Sequence, residues 1–148
     1  MSPFYTGNLF KGCFRKKEKI HQNVNTMINE RAKYTANTGI VSISTANSNR
    51  NGTGTLGVII TGASNGTLVK RIIIKATGNT TRGMVRIYCN ANIITEVEVP
   101  AVTKSAIDTS FSAVLNLNFK LASTNTLKAS TQNAETFIIT AEGLDWTY

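Results

Sequence analysis

A chain of 148 residues suits one domain, and with 41% hydrophobic and only 16% charged residues it is neither a disordered acidic tail nor a charged coiled coil. Formal net charge is +8, from 16 Lys+Arg against 8 Asp+Glu, with one histidine (His21) and two cysteines (Cys13 and Cys89), which removes most acid–base and metal chemistry before any motif is sought. Thr, Asn and Ser make up roughly a third of the residues, a composition closer to strands and turns than to helices. No apolar run approaches ~18 residues, so neither a transmembrane helix nor a membrane partner is expected. Met1-Ser-Pro-Phe-Tyr5 lacks the basic and apolar regions of a secretory signal. That points to a chain made in a cytoplasm, with reduced thiols and no Cys13–Cys89 bridge.

The first part of the chain is basic. Residues 1–35 carry seven basic side chains and two acids, net +5, whereas residues 36–148 carry nine and six, net +3. Lys11, Arg15, Lys16, Lys17 and Lys19 form the one dense cluster, interleaved with Phe10 and Phe14. Ile20, Val24, Met27, Ile28 and Tyr34 follow at helical spacing, although Asn23, Asn25, Thr26 and Asn29 are poor helix formers. Residues 1–37 therefore read as an arm, with a short helix at 17–31 that needs a partner surface. The basic set would steer the arm to an acidic protein surface, and the apolar set would bury there. Binding of nucleic acid, with phosphates neutralised and bases stacked on the phenylalanines, is the alternative, and an unengaged tail the third.

From Thr38 the pattern has period two. Val41, Ile43 and Thr45 alternate with Ser42 and Ser44, and Leu56, Val58 and Ile60 follow Asn51-Gly52. Asn65-Gly66 is a hairpin signal, because both residues accept positive φ. The next strand, 67–77, puts Leu68, Ile72 and Ile74 on one face; 82–89 puts Val85, Ile87 and Cys89 inward. Asn90-Ala-Asn92 turns the chain into 93–99, with Ile93, Thr95, Val97 and Val99 opposite Glu96 and Glu98, and Pro100 ends it. The clearest alternation follows, with Phe111, Ala113, Leu115, Leu117, Phe119 and Leu121 against small polar residues. Short strands around Leu127 and Ala129, and around Phe137, Ile139 and Ala141, close the set, with Leu144 and Trp146 expected to cap the core. About eight short strands with frequent turns argue for an all-β protein: an antiparallel β-sandwich, jelly-roll-like, spanning 38–148.

Catalytic chemistry is scarce. His21, the one ordinary general base, sits in the arm, and one histidine with two distant cysteines cannot make a standard zinc site. Glu96 and Glu98 read as charges on a solvent face rather than as a carboxylate pair. Asp108, Glu135, Glu142 and Asp145 match no calcium loop. Gly52-Thr-Gly54-Thr-Leu-Gly57 lacks the features of a phosphate loop. No catalytic residue, metal or cofactor is expected.

Apolar residues also occur on the outward parity of the strands. Val69 and Ile73 oppose Leu68, Ile72 and Ile74, Met84 and Tyr88 oppose Val85 and Ile87, and Ile59, Ile94 and Ile138 behave likewise. If strands 67–77 and 82–89 are neighbours, Val69, Ile73, Met84 and Tyr88 form one patch, and a patch of that kind predicts a subunit interface.

The run Ile43-Ser-Thr-Ala-Asn-Ser-Asn-Arg-Asn-Gly-Thr-Gly-Thr-Leu-Gly57 resembles small virion proteins of tailed bacteriophages and prophages. So do Gly66-Thr-Leu-Val-Lys70 through Arg71-Ile-Ile-Ile-Lys75 to Arg82-Gly-Met-Val-Arg86, and Leu127-Lys-Ala-Ser-Thr-Gln-Asn-Ala-Glu-Thr-Phe137. The resemblance implies a non-enzymatic β-sandwich that decorates or reinforces a capsid or tail. It implies a location in the virion, contacts with other virion proteins, and a homo-oligomer, most often a trimer. The rival readings are a carbohydrate-binding module or adhesin using Tyr88 and Trp146, and a nucleic-acid-binding protein using the arm.

Overall fold

The computed structural model describes residues 33–147. The helix expected at 17–31, His21, Cys13, and the docking roles given to Lys11, Arg15, Lys16, Lys17, Lys19, Ile20, Val24, Met27 and Ile28 lie outside the described residues.

Among the described residues eight strands follow one another: β1 (Lys33–Ile43), β2 (Gly57–Thr61), β3 (Thr67–Ala76), β4 (Gly83–Cys89), β5 (Asn92–Val99), β6 (Ser112–Leu121), β7 (Thr126–Thr131) and β8 (Phe137–Thr147). They form two four-stranded sheets, ordered β1-β8-β3-β6 and β2-β7-β4-β5. Of the strands that follow each other in the chain, β4 and β5 alone are paired; every other connection crosses from one sheet to the other. This order is that of an eight-stranded jelly roll, and the antiparallel β-sandwich expected from the sequence is found. The hairpin expected at Asn65-Gly66 is corrected: with Gly66 at φ 90°, the turn carries the chain from β2 in one sheet to β3 in the other. The hairpin turn lies instead at Asn90-Ala91, with Asn90 at φ 55°.

Between the sheets lies a core that includes Ile72, Ile74, Val85, Ile87, Leu127, Phe137 and Ile139. Burying each such side chain favours the fold by ~1.5–3 kcal/mol. Phe111, Leu115, Leu117 and Phe119 face this core but stay half-buried on or beside the edge strand β6. At the opposite side β1 crosses β2 so closely that a Cβ on Gly39 would stand 2.0 Å from the Ile59 carbonyl oxygen.

Three bulges correct the strict alternation expected of the strands. In β3, Val69 pairs with Gly143 and Arg71 with Glu142, so β3 advances two residues while β8 advances one. Lys70 is the extra residue, and an extra residue reverses the face that follows it. Thr67 and Val69 are inside before the bulge, and Ile72, Ile74 and Ala76 after it. Leu68, expected inside, is therefore outside, and Val69, expected outside, is fully buried. In β2 the shift between Val58 and Ile60 buries both Ile59 and Ile60 and leaves Val58 exposed. In β5, Tyr88 pairs with Ile93 and Ile87 with Thr95, so Ile94 is the extra residue; it packs on the core while Ile93 is exposed.

Two ends also differ from expectation. β1 begins at Lys33, ahead of Thr38 where period two becomes visible, so Tyr34 sits on a strand. Residues 33–42 are half-buried at most, and hence carry little apolar signal. β8 runs on to Thr147, so Leu144 and Trp146 belong to the strand and do not cap the core. Leu144 pairs with Leu68 on the outer side.

Candidate functional site: two unequal outer faces

The outer face of the β2-β7-β4-β5 sheet is closed by the chain itself. Residues 44–56, joining β1 to β2, fold across it. Asn47 N donates to Thr131 O at 2.8 Å, and a parallel bridge joins Ala46 to Thr131. Asn47 Nδ2 donates to the carbonyls of Thr53 and Thr55, which shapes the loop internally. Beneath it lies Arg86, 3% exposed, donating to Asn47 O at 3.0 Å and to Gln132 Oε1, with its Nε 3.6 Å from Glu96 Oε1. That Nε has no hydrogen-bond partner. Tyr88 is fully buried, and its hydroxyl donates to Asn49 O at 2.9 Å. Arg50 reaches back over the face to Glu96 at 3.3 Å and to the Met84 sulfur at 3.5 Å.

The expected interface of Val69, Ile73, Met84 and Tyr88 is therefore corrected. Val69 is in the core because of the β3 bulge, and Tyr88 is under the 44–56 loop. β3 and β4 lie in different sheets, so Ile73 and Met84 face opposite sides of the sandwich. The four residues do not share a surface. Tyr88 is likewise no aromatic platform for a sugar.

The outer face of the β1-β8-β3-β6 sheet has no such cover among the described residues. The registers set its side chains in cross-strand rows, β6 to β3 to β8: Lys120, Leu68 and Leu144; Asn116, Arg71 and Glu142; Val114, Ile73 and Thr140; Ser112, Lys75 and Ile138. Val114 is 55% exposed, and Ile40 on β1 is 66% exposed. At one end Tyr34 and Trp146 meet edge to face, with ring centroids 5.2 Å apart. Apolar side chains thus run across this face. Sequence reasoning found Ile73 and Ile138 here but missed Val114 and Ile40. Val114 was legible as the apolar interruption of a Ser112, Asn116, Lys120 outward series; Ile40 had no such context.

Charge on the face is mostly positive. Lys70, Arg71, Lys75 and Lys120 stand against Glu142 alone. Arg71 Nε donates to Glu142 Oε2 at 2.5 Å, and that bond and its charge push the guanidinium pKa further up. Lys75 Nζ donates to Ser110 O at 2.9 Å. Lys70 and Lys120 have no partner among the described residues.

The acids are engaged locally. Glu96 faces Arg50 and Arg86, and Glu98 faces Arg82 at 3.5 Å, so the two do not act as a pair. Glu135 accepts from the Thr81 amide and hydroxyl, Asp145 accepts from Thr67 Oγ1 and Asn37 Nδ2, and Asp108 caps a turn with Ser105. Among the described residues no group of three His, Cys, Asp or Glu could hold a metal ion, and Cys89 is a half-buried free thiol.

Among the described residues the class so defined is an eight-stranded jelly roll with one outer face covered by its own loop and the other uncovered. No family model and no curated protein matches the chain. Among solved structures, a chain of the acidic stable capsid structure of Helicobacter pylori bacteriophage KHP30 is similar, with a TM-score of 0.48 and 9% identity over 80% of this chain and 99% of that one.

Proposed function

We propose that this protein is a non-enzymatic structural component of a bacteriophage virion, one that decorates or reinforces the particle by docking on its other proteins. The observation that carries the reading is the outer face of the β1-β8-β3-β6 sheet, uncovered among the described residues, where Ile40, Ile73 and Val114 stand exposed or half-buried. Exposed apolar surface arranged in rows across a sheet is what a contact with another protein requires. The resemblance of the Ile43–Gly57, Gly66–Arg86 and Leu127–Phe137 runs to tailed-phage virion proteins supplies the setting. Residues 1–32 serve as a second, basic attachment that enters β1 at Lys33. A homotrimer, if formed, uses a surface other than the patch first drawn from Val69, Ile73, Met84 and Tyr88.

A chain lacking residues 1–32 tests the attachment role. We expect its melting temperature to stay within about 2 °C of the full chain, because β1 and the core remain whole, while incorporation into particles is lost. Equal incorporation would remove the arm from the account.

The Tyr34–Trp146 pair favours one second reading, recognition of a glycan at the end of β8. Glycan-array binding that is lost in Trp146→Ala would support it.

A further inference from the structure

We propose that the open face of the β1-β8-β3-β6 sheet is built for an acidic surface of a different protein, and not for a second copy of this chain. The inference rests on the structural role proposed above and names the partner's chemistry. Two observations carry it.

The first is where the charge lies. The described residues carry ten basic and six acidic side chains, net +4. Four of the basic ones, Lys70, Arg71, Lys75 and Lys120, lie on this one face with Glu142 as its single acid, net +3. The remaining six basic and five acidic side chains nearly cancel, net +1. The excess charge of the jelly roll is therefore concentrated on the face that is also apolar and, among the described residues, uncovered.

The second is that two of those charges are left unsatisfied. Arg71 is answered by Glu142 and Lys75 by a carbonyl, but Lys70 and Lys120 have no partner among the described residues. Lys70 is the bulge residue of β3, and Lys120 stands opposite Leu68, so each lies beside the apolar rows.

Self-pairing through this face would bring net +3 against net +3. Stacked sheets lie ~10 Å apart, close to the ~8 Å screening length at physiological salt, so salt only partly relieves that repulsion. Residues 1–32 are no better suited, with Lys11, Arg15, Lys16, Lys17, Lys19 and Arg31 against Glu18 and Glu30, net +4. An acidic surface with an apolar centre matches both features, and like-charge surfaces are excluded by the same potential.

The test uses the full chain. A photo-reactive p-benzoylphenylalanine in place of Val114 reports what touches the face in assembled particles. Lys70→Glu/Lys120→Glu, which changes the face from +3 to −1, reports the sign of the partner, and Arg82→Glu/Lys104→Glu makes the same change in net charge elsewhere. We expect an adduct with an Asp/Glu-rich segment of another protein. We also expect incorporation to fall at least tenfold in the Lys70/Lys120 variant, less than twofold in the control, and to weaken as salt rises. An adduct with this same chain or with nucleic acid would overturn the inference. So would unchanged or increased incorporation of the Lys70/Lys120 variant, the response a second copy would give. If the wild-type chain is absent from purified particles, the virion role itself fails, and the adduct formed in cell extract still distinguishes an acidic protein from a second copy.

Discussion

Arg86 is a charged side chain almost wholly removed from water on what would otherwise be a solvent face. Its hydrogen bonds to Asn47 O and Gln132 hold the 44–56 loop on the β2-β7-β4-β5 sheet. Arg86→Ala leaves those acceptors unpaired and strips Glu96 of one neighbour, so urea denaturation should show a loss of about 2–4 kcal/mol. Tyr88→Phe removes one hydroxyl bond to Asn49 O and should cost less, about 0.5–1.5 kcal/mol. A loss below ~0.5 kcal/mol for Arg86→Ala would contradict the clamp. None of this was legible in the sequence, where Met84, Arg86 and Tyr88 read as an outward apolar–basic series. Period two tells which side of a strand a residue takes, but not whether a loop forty residues away in the chain returns to cover it.

At the scale of the elements, sequence and structure agree on all eight strands and disagree on three stretches of facing. Every disagreement is a bulge: Ile59 in β2, Lys70 in β3 and Ile94 in β5. A bulge leaves composition unchanged and shifts parity by one, so a run such as Leu68-Val-Lys-Arg-Ile-Ile-Ile74 fits either face until its partner strand is known. The close crossing of β1 over β2 is a second feature of this scale. With a Cβ at Gly39 only 2.0 Å from Ile59 O, Gly39→Ala must push the strands apart. Overpacking of this kind costs ~1–3 kcal/mol, and the melting temperature should fall by about 5–10 °C. A Gly39→Ala chain that melts with the wild type would mean that β1 is not seated on β2 as described.

For the molecule as a whole, the jelly roll was legible as a class because turns and alternations recur at the spacing of a sandwich. The pairing was not, since Asn65-Gly66 promises a hairpin and delivers a crossing between sheets. The expected interface moved for other reasons: residues 77–82 carry the chain from β3 in one sheet to β4 in the other, the β3 bulge takes Val69 into the core, and the 44–56 loop covers Tyr88. Of its four residues Ile73 remains at the candidate site, joined by Val114 in its own cross-strand row. This outer face is proposed to attach the protein to its particle. Incorporation of full-length Val114→Asp into purified particles, measured beside its melting temperature, tests it most directly. An aspartate at a solvent-facing edge position should leave the melting temperature within about 2 °C, yet place an unpaired acid against an acidic partner and reduce incorporation at least tenfold, ~1.4 kcal/mol or more. A stably folded Val114→Asp chain that enters particles as well as the wild type would contradict it.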